Sequence, residues 1–256
     1  MTDVAVIIPA RLESTRLPRK LLLNETGKPL IAHTVERVLE ARAAYEGLAS
    51  RVVVAADDPE LVAAARAAGA DAVMTRPDHA SGTDRIAEAA AGSDHDVIVN
   101  IQGDEPEIEL EHVRAICGVL DGRDDPMGTL VYPIRERAAF ENPNLVKAVL
   151  SRDGTALYFS RSPIPYPREG EANATEGLAD GVWGYGHMGV YAYRREFLMG
   201  YASLPPSSLE RRERLEQLRA VQAGHAIRVA VVDPPSGAGI DTPEDYARFV
   251  ERTKKS

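Results

Sequence analysis

Among 256 residues there is a single cysteine, Cys117, so no intramolecular disulfide and no cysteine-rich zinc site can form. A reducing compartment, the cytoplasm, is the expected location. No run approaches the roughly eighteen apolar residues of a membrane helix. The apolar stretch at residues 4–8 is too short for a secretory signal and runs straight into Pro9 and Arg11, so membrane insertion is not expected. Cations are in the minority: 30 Lys and Arg face 39 Asp and Glu, a net charge of −9. No aromatics are interleaved with the basic residues, and a nucleic-acid partner is disfavoured. The strings GxxxxGK[ST], HExxH and GxSxG are also missing, which removes P-loop, zincin and serine-hydrolase chemistry. GxGxxG does occur, at Gly184, Gly186 and Gly189, but it leads into the β-like VYAY instead of opening a helix and is not read as a dinucleotide fingerprint.

What is present is ordinary for a globular chain: 44% hydrophobic and 27% charged residues, enough to bury a core without staples. Residues 4–8 (VAVII) form a continuous β-branched run, the pattern of a strand covered on both faces. A helix over Pro29–Ala41 and a strand at Arg51–Ala56 complete a βαβ unit. Asp58, Pro59 and Glu60 predict a capped helix that Gly69 ends, and Asp96–Gln102 predicts another buried strand followed by a helix from about Glu109 to Leu120. Residues 128–134, 146–150 and 155–160 are short and β-rich, so a mixed extension is expected there. Residues 167–186, poor in large aliphatics, predict a mobile loop or lid before a strand at 187–193. One amphipathic helix is expected over Leu209–Ala223, stopped by Gly224, then a strand at Ile227–Val232. Thr242, Pro243 and Asp245 predict the cap of a closing helix. The fold class is therefore α/β, with a mostly parallel sheet flanked by helices and a smaller mixed β extension.

The densest chemical signal is Pro9–Lys20, PARLESTRLPRK, where Arg11, Arg16, Arg19 and Lys20 stand against Glu13 alone, beside the hydroxyls of Ser14 and Thr15. Ligands of open α/β sheets bind beyond the carboxyl ends of the strands, so a basic loop after the first strand is placed to hold an anion, and polyphosphate fits best. Asp104 and Asp241 both fall on loops after strands. Two carboxylates with phosphate oxygens and waters suit a hard cation, Mg²⁺ above all. Read singly, each aspartate fits a turn or a helix dipole as well.

Taken in order, IIPARLESTRLPRKLL, MTRPDHASGTDR, VNIQGDEP, LYFSRSPIP, LEQLR and GIDTPEDY resemble the 3-deoxy-D-manno-octulosonate (Kdo) cytidylyltransferase family over residues 4 to about 250. The resemblance implies a Rossmann-like nucleotidyltransferase fold, a single domain over 1–256 whose sub-lobe at about 128–200 carries sugar-binding and dimer-forming elements. It implies a cytoplasmic, Mg²⁺-dependent homodimer that joins CTP to Kdo with release of pyrophosphate, for lipopolysaccharide biosynthesis. By resemblance Arg11, Ser14, Arg16 and Lys20 grip the triphosphate. Arg76, Ser81 and Gly82 lie near cytosine, and Asp104 and Asp241 hold the metal. Sugar contacts map to Gln102, Arg161, His187, Glu213, Glu216 and Gln217. Arg11, Lys20 and Asp104 are the expected catalytic residues. Gly186 departs from the family pattern, which has a basic residue before the histidine, so Arg161 is a candidate for the sugar carboxylate. Another acid sugar, a Kdo analogue or sialic acid, is the alternative acceptor, and a catalytically inactive nucleotide-binding regulator is a rival of a different class.

Overall fold

The computed structural model describes residues 2–168, 181–201, 203–237 and 239–254. Along the chain run β1 (Val4–Ala10), α1 (Leu30–Ala44), β2 (Arg51–Ala56), α2 (Pro59–Ala67), β3 (Asp71–Met74), α3 (Gly82–Ala90), β4 (Val97–Asn100) and α4 (Leu110–Gly118). Then follow β5 (Met127–Ile134), α5 (Arg137–Glu141), β6 (Lys147–Leu150), β7 (Ala156–Ser160), β8 (Gly184–Arg194), α6 (Arg195–Tyr201), α7 (Ser208–Glu213), α8 (Leu218–Gln222), β9 (Ile227–Val231) and α9 (Pro243–Thr253). The chain divides into two compact units, residues 1–117 with 235–256, and residues 118–234.

In the first unit the strands lie in the order β3-β2-β1-β4, all parallel. Every residue of β1 is buried, as its continuous apolar run requires. Pro9 is tolerated in this central strand because β4 ends at Asn100, opposite Ile7, so the missing N–H falls beyond the β1–β4 ladder. Helices α1 and α2 pack on one another, and α3 packs on β1, β2 and β4. Parallel strands deliver all their following loops to one edge, here 11–20, 57–58, 75–81 and 101–109. Capping signals hold where they were read: Asp58 accepts from Glu60 N at 2.7 Å, and Thr242 with Asp245 closes a reciprocal box at the start of α9. Local spacing predicts neither the strand β3, which is only four residues long, nor the helix α3, whose buried face sets Thr83 and Arg85 beside Ile86 and Ala90.

The second unit is a mixed sheet in which β5 pairs with β8 antiparallel and with β9 parallel, while β6 joins β7 and β8. The helices α5 and α6 of this unit, five and seven residues long, are too short for the sequence pattern to predict. Lys147 is fully buried, and its ammonium donates to the carbonyls of Asn142, Leu145 and Arg161 at 2.9, 2.6 and 2.6 Å. That satisfies the buried cation and ties the 142–147 turn to the end of β7. The single amphipathic helix expected over Leu209–Ala223 is two helices. Arg214 adopts a left-handed conformation (φ 54°), and Leu215 N–H closes back on Glu210 O at 3.3 Å, ending α7. A bidentate pair, Glu210 with Arg219 at 2.6 and 2.9 Å, staples the two pieces while Leu215 and Leu218 stay buried. The apolar spacing was real, but it survives a kink. Most of the expected loop at 167–186 lies outside the described residues; its last three residues already belong to β8, which contains the GxGxxG string as strand.

Candidate functional site

The turn after β1 is exposed and carries its cations at the sheet's carboxyl edge. Leu12 N–H donates to Asp57 Oδ1 at 2.9 Å, anchoring the turn to the end of β2. A cavity of about 390 Å³ is lined by Arg11, Ser14, Thr15 and Arg19 among others. The cations of the turn are not equivalent. Arg19, left-handed at φ 54°, is committed to Glu60 at 2.6 Å, and Arg16 pairs with Asp241 at 2.9 Å. Arg11 has no ion pair among the described residues and is open to an anion.

Lys20 opens a short 3₁₀ turn, Lys20–Leu22, and is 8% exposed. Its ammonium donates to Asp104 Oδ2 at 2.5 Å, to Ile240 O at 2.6 Å and to Asp241 Oδ1 at 3.3 Å. Two aspartates 137 residues apart in sequence thus converge on one cation. Two glycines make this possible. A Cβ on Gly103 would lie 2.8 Å from Ile31 Cδ1 and 3.0 Å from the Pro9 carbonyl, and one on Gly239 would lie 2.8 Å from Glu105 Oε1. Ile240 N–H donating to Asp104 O at 2.9 Å locks the two acidic loops together. Burial, with Asp104 and Asp241 adding their charge, pushes Glu105 up to about 8. The donor set fits a hard divalent cation: two carboxylates already gathered around a positive group, with oxygen the only ligand type. Among the described residues no three His, Cys, Asp or Glu gather to hold a metal alone, so phosphate oxygens and waters would complete the shell.

Ser81 caps α3, its Oγ accepting from Asp84 N at 3.1 Å, and the position of a Gly82 Cβ lies 3.6 Å from Pro9 and 3.9 Å from Gln102 Oε1. The N-terminus of α3 therefore rests on the end of β1, beside the basic turn. Arg76 is exposed and pairs with Glu88 at 3.2 Å. Gln102 donates to Asn100 Oδ1 at 3.1 Å.

The other expected sugar contacts belong to the second unit. His187 donates through Nε2 to Thr129 Oγ1 at 2.9 Å, because the Thr129 hydroxyl proton is directed to Val190 O at 2.7 Å. Burial pushes the imidazole down to about 3, so His187 is neutral and offers Nδ1 as an acceptor. Gln217 is 3% exposed and its Nε2 has no hydrogen-bond partner among the described residues, a buried donor left over for a ligand. Glu213 accepts from Ser160 Oγ at 2.7 Å and Arg161 N at 3.0 Å, bracing β7 against α7. Arg161 donates through Nε to Glu213 O at 2.8 Å and through Nη1 to Pro143 O at 3.1 Å, so a carboxylate clamp by Arg161 would have to use Nη2. The carbonyl of Glu216 accepts from Tyr201 Oη at 2.8 Å, and its carboxylate adds to the burial that raises the Tyr191 hydroxyl. The absent side chain at Gly186 has a physical counterpart: Tyr132 lies directly across the β5–β8 ladder, its ring carbon Cζ 2.7 Å from where a Cβ would stand.

Comparison with known proteins decides the family. The profile of the cytidylyltransferase family matches residues 5–227. This chain belongs to the cytidylyltransferase family. Among its relatives, a 3-deoxy-manno-octulosonate cytidylyltransferase of Syntrophobacter fumaroxidans is 47% identical over 248 residues, covering 95% of this chain and 94% of the relative. A solved CMP:2-keto-3-deoxy-manno-octonic acid synthetase complexed with CTP superposes on this cytidylyltransferase family member with a TM-score of 0.89 at 41% identity, covering 99% of both chains. A cytidylyltransferase from Leptospira borgpetersenii, at 15% identity and TM-score 0.63 over 100% of this chain and 88% of that one, shares the fold alone.

Asp57 and Arg85 do not stand out in the sequence of this cytidylyltransferase. Their signal there was slight, an acid at a strand end and a basic residue inside a helix, and only the fold joins them, at 2.9 Å.

Proposed function

We propose that this chain transfers the cytidylyl group of CTP to Kdo, forming CMP-Kdo and pyrophosphate, with Mg²⁺ required. The observation that carries the reading is the convergence of Asp104 and Asp241 on Lys20 beside the cation-rich turn, in a chain so similar to a Kdo cytidylyltransferase.

Arg11, Ser14, Arg16 and Lys20 bind the phosphate oxygens, and Asp104 with Asp241 would hold the metal, which supplies positive charge at the α-phosphate and favours ionisation of the attacking hydroxyl. The anomeric hydroxyl oxygen of Kdo bonds to the α-phosphorus as the bond to the bridging oxygen of the β-phosphate breaks; the hydroxyl proton passes to solvent water and pyrophosphate leaves. The reaction asks for positioning and charge compensation, without a covalent nucleophile. Kdo is itself an anion, and the cations of the turn reduce its repulsion from the triphosphate. Arg76, Ser81 and Gly82 lie on the cytosine side, and Gln102 contributes to the sugar. In the second unit the neutral His187 accepts from a sugar hydroxyl through Nδ1, and Gln217 donates through its unsatisfied Nε2. Arg161, Glu213 and Glu216 are the remaining candidate sugar contacts of that unit.

Cytoplasmic location, a homodimer and a place in lipopolysaccharide biosynthesis accompany this reading through the family resemblance. No described helix is long and apolar enough to cross a membrane. One observation favours a second acceptor, a close Kdo analogue: Gly186, covered by Tyr132, stands where the family's basic residue is expected. Pyrophosphate release with CTP or UTP, crossed against Kdo, its amino analogue and sialic acid, with and without Mg²⁺, tests base, sugar and metal together. Turnover is expected with CTP and Kdo in Mg²⁺; equal turnover with UTP, or undiminished turnover after metal removal, overturns the reading.

A further inference from the structure

We infer that Asp57 is a positioning residue that fixes the triphosphate turn to the cytosine-side segment through a neutralised carboxylate. The inference rests on the nucleotide site proposed above and adds to it a residue outside the contacts assigned there.

Asp57 follows β2 immediately and is largely buried, with a side chain 11% exposed. Its two oxygens serve two different segments. Oδ1 accepts from Leu12 N–H at 2.9 Å, inside the basic turn, and Oδ2 accepts from Arg85 Nη2 at 2.9 Å, on α3. Arg85, 4% exposed, carries the connection onward: Nη1 donates to Thr75 Oγ1 at 2.6 Å and to the carbonyl of Arg76 at 3.2 Å. Thr75 closes the circuit by donating through both N and Oγ1 to Ala56 O, at 2.8 and 3.0 Å, one residue before Asp57. Leu12 thus belongs to the segment that grips phosphates, Arg76 to the segment near the base, and one carboxylate connects them. The neighbouring Asp58 has a separate task, capping α2.

A carboxylate beside a triphosphate site would ordinarily repel the ligand. Here the guanidinium of Arg85 cancels its charge at close range, so Asp57 can orient the turn without opposing the anion. The pair is therefore asymmetric in function. Loss of Asp57 loosens the turn, whereas loss of Arg85 both loosens the 75–76 segment and leaves a bare negative charge next to the phosphates.

Asp57→Asn is expected to raise the KM for CTP about tenfold, the scale of one charge-assisted hydrogen bond, with kcat at saturating CTP within about threefold of the parent and the KM for Kdo unchanged. Arg85→Met should raise the KM for CTP further, and the double variant Asp57→Asn/Arg85→Met should bind CTP better than Arg85→Met alone. Circular dichroism confirms that each variant is folded, and calorimetric CTP binding provides a second reading of affinity. A purely structural pair would lower the melting temperature and leave the KM of the folded protein untouched. A folded Asp57→Asn variant with parental CTP affinity overturns the inference, as does a fall in kcat at constant KM. If Arg85→Met does not fold, Asp57→Asn alone decides. Failure of the parent protein to bind CTP at all would instead refute the proposed function.

Discussion

The ammonium of Lys20 lies 2.5 Å from Asp104 Oδ2 and 3.3 Å from Asp241 Oδ1, so one cation joins the two carboxylates that would hold the metal. With Arg16 also on Asp241 at 2.9 Å, two cations balance two acids there. A free divalent cation meets little net attraction there, whereas a triphosphate bound as proposed would compete for Arg16 and Lys20 and release the carboxylates. Metal and nucleotide affinities should therefore be positively coupled. Mn²⁺ binding followed by electron paramagnetic resonance is expected to be weak without nucleotide and at least about tenfold tighter with CTP. Lys20→Met should tighten metal binding in the absence of nucleotide while turnover falls. Equal Mn²⁺ affinity with and without CTP would contradict the coupling.

Gly103 precedes Asp104 and has no room for a methyl group, which would meet Ile31 Cδ1 and the Pro9 carbonyl at 2.8 and 3.0 Å. One neighbour is backbone and cannot rotate away. Gly103→Ala should cost about 1–3 kcal/mol of stability, the usual scale of overpacking, and should depress kcat by moving Asp104. Chemical denaturation and steady-state assays test both, and an unchanged denaturation midpoint would show that the loop yields freely.

Burial, with its acidic neighbours, pushes Glu105 up to about 8 in the folded protein, against 4.5 ordinarily. Between those values the folded state holds a proton that the unfolded state has released. This group's contribution to stability is therefore full below about pH 4.5 and declines as pH rises towards 8. Replacing Glu105 by Gln should flatten that part of the profile; urea midpoints measured from pH 5 to 8 that keep the same slope in the variant would refute the assignment.

His187 behaves in the opposite sense. Its folded value near 3 lies below the ordinary 6.5, so stability from the neutral ring is present above pH 6.5 and is lost as pH falls towards 3. Nitrogen chemical shifts should report a neutral ring protonated on Nε2, held by Thr129. Thr129→Val should raise the KM for Kdo more than that for CTP. A ring found protonated on both nitrogens at pH 7 would exclude the acceptor role.

Several features of the candidate site are legible in the sequence alone. The basic turn after β1, the caps at Asp58 and Thr242, and the loop positions of Asp104 and Asp241 all follow from local rules, since strand burial, capping and charge clustering act within a few residues. Legibility failed where remote contacts decide. Residues 209–223 keep a helical apolar spacing, yet Arg214 turns left-handed, and the Glu210–Arg219 pair together with Glu213 on Ser160 and Arg161 hold the kink. Arg161 stands in the sequence as a candidate for the sugar carboxylate, and only the fold shows that two backbone carbonyls also hold its guanidinium.

By itself the sequence determined the α/β class, the clustered positive charge of the first turn and, through its ordered motifs, the family. The tertiary structure alone decided that Lys20 joins two distant aspartates, that Asp57 and Arg85 link two loops, and that Tyr132 fills the space left by Gly186. The physical reason is range. Burial patterns and caps are set by neighbours in the chain, whereas ion pairs, close approaches and shared cations depend on distances that exist only after parallel strands have brought their loops to a common edge.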